Sequence, residues 1–232
     1  MTRHMLLAVA TAALLPHIGT VGAATTVGWA DFGANDAGVF DSKIVGAPDG
    51  LLSVNPWYAA KFDNLVSYPA LAATMGLSEA DLGTYDVLAW EANGGSPAAS
   101  GGWESARWDF SAAGASVSTV FNELTGTGST PGVDFKTGSI TAAQYASLFG
   151  ASRADSTVWS WLLVRLPGAV NADDASFLVH FAGVGGGVGL GEGTPDPDAI
   201  GVIHAIPEPG TVVLVCAGLA GLAGRRYWRR AR

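Results

Sequence analysis

Residues 159–166 read WSWLLVRL, and Pro167-Gly168 stops the run. A short apolar run of aromatic and branched residues, closed by turn formers, is a strand signal. The pattern recurs at 85–92 (YDVLAWEA), at 176–182 (SFLVHFA) after the polar turn 171–174, and at 199–206 (AIGVIHAI). Further candidate strands are 25–32, 38–45, 51–54 and 103–110. Gly, Ala, Ser and Thr are abundant, and long helical periodicity is scarce. The spacing predicts a single mainly β domain, a β-sandwich or jelly roll, with a few short helices.

Two stretches read as helix instead. Residues 139–150 (SITAAQYASLFG) carry a capping Thr141 and a closing Gly150. Residues 55–75 place apolar side chains three and four apart, so the part before Pro69 reads as helical. The Gly-rich patch 183–193 reads as a flexible loop. It lacks the regularly placed Asp of a calcium-binding repeat.

The two ends have their own logic. Arg3 and His4 precede an uncharged apolar core, 5–15, then Pro16, Gly19 and the small residues Gly22, Ala23 and Ala24. That order predicts a secretory signal peptide over 1–24, cleaved after Ala23 or Ala24. A core of about 11 residues falls short of the roughly 20 that a spanning helix needs. The export implied is of the Sec type. At the other end, residues 211–224 (TVVLVCAGLAGLAG) hold no charge. Arg225, Arg226, Arg229, Arg230 and Arg232 follow, with Tyr227 and Trp228 among them. The run predicts a short transmembrane helix flanked by interfacial aromatics and snorkelling arginines. The positive-inside rule puts the arginines in the cytoplasm and the preceding domain outside. Cys216, the only cysteine, lies in this run, so no intrachain disulfide forms.

Pro207-Glu208-Pro209, then Gly210, an apolar helix and terminal arginines resemble the PEP-CTERM sorting signal, covering 206–232. The same type of tail has been labelled an ice-binding protein C-terminal domain. The resemblance implies processing by an exosortase, a transient inner-membrane tether, and release to the cell surface or an exopolysaccharide matrix. The two prolines suit this, since each fixes φ and removes a backbone donor, leaving an extended, accessible segment. The alternative is a stiff linker before a permanent anchor. Ice binding does not follow from the label. It would need a flat, regular face of Thr or similar residues, and the sequence has no such repeat.

Between the signals, residues 25–205 suit one extracytoplasmic domain. Six basic side chains there face 14 Asp and 5 Glu, a net charge of −13 against −8 for the whole chain. That balance excludes nucleic acid as a partner. The motifs of serine hydrolases, zinc enzymes and P-loops are all missing, so the sequence predicts a non-enzymatic protein without cofactor or metal. His180, in FLVHF, reads as a histidine satisfied by a neighbour. Glu91 and Glu104 each follow a tryptophan and are the natural pair for glycan hydrolysis, were there any. Trp90, Trp103 and Trp108 are candidate glycan contacts, since exposed aromatics offer flat platforms to sugar rings. Trp103 and Trp108 differ by five, which in a regular strand sends one to the core and one to solvent. Trp159 and Trp161 share a face, read as core. Asp31, Asp36 and Asp41, and Asp196 and Asp198, match no recognised calcium loop and read as turn residues.

Overall fold

The computed structural model describes residues 25–51, 57–93, 103–150, 158–184 and 197–204. The expected signal peptide over 1–24, the expected transmembrane helix over 211–224, the sorting motif and the arginine cluster all lie outside them. No helix among the described residues is long and apolar enough to cross a membrane.

Among the described residues, twelve strands form two antiparallel six-stranded sheets. The first runs in the order β4 (Asn64–Tyr68), β1 (Thr25–Trp29), β12 (Pro197–His204), β5 (Val87–Asn93), β10 (Val158–Arg165), β9 (Asp134–Thr141). The second runs β2 (Phe32–Asn35), β3 (Trp57–Ala60), β11 (Leu178–Gly183), β6 (Ala106–Ala112), β7 (Ala115–Asn122), β8 (Thr127–Gly128). The sheets share one apolar core. Val87, Ala89, Leu162, Val164, Ile200 and Val202 of the first meet Trp108, Phe110, Phe121, Val179 and Phe181 of the second.

The first sheet is buried on its other face too. Trp29, Leu88, Trp90, Trp159, Trp161 and Leu163 pack there with Tyr68 and with residues of α1 (Leu71–Thr74), α2 (Glu79–Leu82) and α3 (Ala142–Phe149). A strand buried on both faces has no polar side to alternate with. That is why β5, β10 and β12 read as nearly unbroken apolar runs. The second sheet leaves its far face to solvent, and β6 alternates accordingly between buried Trp108 and Phe110 and exposed or half-buried Arg107 and Asp109.

The strand at 25–32 is two strands. After Trp29 the chain leaves one sheet for the other, with the Ala30 N–H bonded to Ile200 O and the Asp31 N–H to Lys61 O. The expected strand at 38–45 is a turn, a single bridge between Ala34 and Phe40, and a 3-10 turn at Ser42–Ile44 capped by Asp41. Most of 51–54 lies outside the described residues. The expected helix before Pro69 is wrong. Residues 57–68 form β3 and β4, and Lys61 takes φ 58° at the turn between them. The three- and four-residue spacing there spans two strands of different sheets and the short connection between them. Within 139–150 the helix is Ala142–Phe149, and Ser139 and Ile140 before the cap pair in β9 with Ser160 and Trp159. Its ends are as read: Thr141 and Gln144 form a capping box, and Gly150 closes the helix at φ 78°. β7 was not expected, although Val117, Thr119 and Phe121 recur at every second position.

Candidate functional site

The three candidate glycan contacts are core residues. Trp90, Trp103 and Trp108 are each 0% exposed. Trp108 stacks with Phe110, 5.9 Å away and nearly parallel, and with Phe181 at 4.8 Å. Trp103 packs on Trp108 at 5.9 Å. The five-residue argument fails because Trp103 precedes β6, so strand alternation does not govern where it points. Trp159 and Trp161 share a buried face, as expected. The exposed aromatics among the described residues are Phe32 and Phe40, 6.4 Å apart.

The two suspected carboxylates sit in different places. Glu91 is buried on β5, opposite Ser160 and Pro197. Glu104 precedes β6 and lies near Glu123, whose carboxyl is pushed up first by burial and then by the Glu104 charge.

His180 is held on the outer face of the second sheet. Register pairing lines up Ala34, Tyr58, His180, Asp109 and Ser118 as one transverse row across β2, β3, β11, β6 and β7. The His180 ring lies 3.0 Å from Asp109 through Nδ1 and 3.0 Å from Asp36 through Nε2, and stacks on Tyr58 at 4.3 Å. Burial pushes the Asp109 carboxyl up. Bonds from Ser118, His180 and Arg107 outweigh it and leave it below its ordinary value. With both ring nitrogens against carboxylates, the imidazole ties the β2 turn to the sheet. Its partners come from distant parts of the chain, which is why sequence alone named no neighbour for it.

The acidic turn is likewise engaged. Asp36 meets His180, and Asp41 accepts the Lys43 N–H. Among the described residues no three His, Cys, Asp or Glu side chains are grouped to hold a metal ion.

A second polar centre was missed by sequence reasoning. Asp198 reads as a turn acid beside two prolines, yet it is 2% exposed at the start of β12. The Tyr145 hydroxyl donates to its Oδ2. The Gly50 N–H donates to Oδ1 at 3.0 Å, and the Asp49 N–H at 3.4 Å. Burial, with the nearby Asp49 carboxyl, pushes Asp198 up to about 7, against the pull of the Tyr145 hydrogen bond. The Tyr145 phenol is itself raised, by burial and then by the Asp198 charge, and stacks on Trp159 at 3.7 Å. The signal was the apolar run that follows directly, which marks residue 198 as a strand position. At the other end of β12, His204 Nδ1 pairs with Asp173 at 2.9 Å beside an open cleft of about 320 Å³ lined also by Lys61 and Asp63.

None of these centres defines an activity; the most specific functional feature of the chain is its tail. Residues 205–230 match the PEP-CTERM protein-sorting motif, and the match begins one residue after β12 ends. Tails of this type are recognised by exosortase, and the motif implies an exported, membrane-transiting chain. No curated protein and no solved structure matches the chain.

Proposed function

We propose that this protein is an exported, non-enzymatic surface or extracellular-matrix protein. An exosortase removes its tail, and the freed β domain resides in the exopolysaccharide matrix. The observation that carries the reading is the sorting motif at 205–230, set directly after the last strand of the domain. The signal-peptide pattern of residues 1–24 and the arginines after residue 224 agree on one topology, domain outside and tail inside. The net charge of −13 between the signals suits a soluble, hydrated location. Nested pairing of β1 with β12, β3 with β11 and β5 with β10 supports a jelly-roll form of the sandwich.

The test is a triple substitution, Pro207→Ala, Glu208→Ala and Pro209→Ala, expressed in the native host. The unaltered chain is expected in the matrix fraction and the variant in the inner membrane. Equal partitioning of both would overturn the reading. A carbohydrate-binding module is not favoured, because its three tryptophans are in the core.

A further inference from the structure

β1 begins where β12 ends. Thr26 is the cross-strand partner of His204, so the predicted signal peptide and the sorting motif join the domain at neighbouring positions. Both roots are held. The Thr25 hydroxyl donates to the Glu79 carboxylate, and Thr25 is 6% exposed. His204 pairs with Asp173 at 2.9 Å, and its Nε2 packs so close to Gly28 that a Cβ added there would fall 3.0 Å from it. The surface beside His204 is the open cleft, where Lys61, Asp63, Leu65 and Ala175 are exposed.

The sorting motif follows closely. Glu208 stands four residues after His204, so even a fully extended chain puts it at most about 14 Å from the end of β12. An enzyme about 30 Å across, the width of a small domain, cannot close on Glu208 without meeting the surface around His204. Given exosortase processing of the tail, on which this rests, we propose that the end of the sandwich beside His204 is a docking surface for the exosortase. Leu65, 58% exposed, offers it an apolar contact, and Lys61 and Asp63 offer charged ones at the rim. With both signals rooted here, this end is the one held toward the bilayer. Charge argues against the other occupants. Asp63, Asp173 and Asp174 line the cleft against Lys61, which opposes an anionic lipid surface. The net charge of −13 between the signals opposes a second copy of the chain.

Pulse-chase of the full chain in the native host tests this, with tail removal read by mass. The double substitution Asp63→Arg and Leu65→Arg is expected to slow removal about tenfold, the loss of one good interface contact. Ala175→Arg, on the opposite wall of the cleft, is expected to act likewise and serves if the double variant fails to fold. An insert of about 12 Gly and Ser residues between Ile206 and Pro207 adds roughly 20 Å of reach and frees the motif from the domain. In the extended chain the same substitutions are expected to change nothing further. Removal at the unaltered rate in the unextended variants would overturn the proposal, as would equal slowing with and without the insert. Faster removal in the arginine variants would also overturn it, and would assign the face to the anionic bilayer instead. An unaltered chain that keeps its tail throughout would overturn the sorting reading itself, a result distinct from all of these.

Discussion

Gly138 lies directly under the indole of Trp161. The two are cross-strand partners, and a Cβ added at Gly138 would fall 2.2 Å from Trp161 Cζ2. The glycine leaves the space that lets the large ring lie flat over the edge strand β9. Gly138→Ala is expected to destabilise the domain by roughly 1–3 kcal/mol, because the ring must shift within a packed core. Urea denaturation measures it, with Gly168→Ala, where nothing stands within 4 Å, as the control expected to change little.

Trp108 stacks with Phe110 and Phe181 and reaches no solvent. Trp108→Ala is expected to cost about 3–5 kcal/mol, the range for emptying an aromatic site in a core. With Trp57→Phe and Trp228→Phe in place, acrylamide is expected to quench the fluorescence of the six buried tryptophans weakly, with no change on adding polysaccharide.

His180→Ala removes the link between Asp36 and Asp109. The Asp36 side chain is 51% exposed and that of Asp109 28%, so the two arms differ in worth. A double-mutant cycle is expected to give below about 1 kcal/mol for the Asp36 arm. The Asp109 arm is expected to exceed it, at about 1–2 kcal/mol for a charge-assisted bond.

Asp198 sets a pH dependence whose sign is fixed by the direction of its shift. Its carboxyl is raised to about 7 from 3.8, so the folded state holds its proton more tightly than the unfolded state does. Its contribution to stability is greatest below pH 4 and is lost as the pH rises to about 7. Asp198→Asn is expected to remove that decline. Its melting temperature should exceed that of the unaltered protein at pH 8 and match or fall below it at pH 4.

The sequence carried the β class and the strands 85–92, 159–166, 176–182 and 199–206, because those segments are short, apolar and closed by turn residues. Thr141 and Gly150 marked the ends of α3 through local capping chemistry alone. Residues 57–68 misled because two strands joined at Lys61 imitate a helical spacing. β9 was hidden by its edge position, where Phe135, Thr137 and Gly138 are only half-buried. The burial of Trp103 was not legible, since its direction is set outside any strand. The polar centres at His180 and Asp198 depend on partners 71, 144, 148 and 53 positions away, and no local pattern announces such pairs. The tail is the opposite case. Its information lies entirely in local order, Pro-Glu-Pro, apolar run, arginines, so a sequence reading is enough to find it.

The central claim, that the tail is a processed sorting signal, is tested most directly by intact-mass analysis of the protein from native-host membranes and from the medium or matrix. The account predicts a matrix form that ends near residues 207–210, or carries an adduct there, and lacks residues 225–232. A protein that keeps Arg225 to Arg232 in both fractions would contradict it, and the tail would then be a permanent anchor.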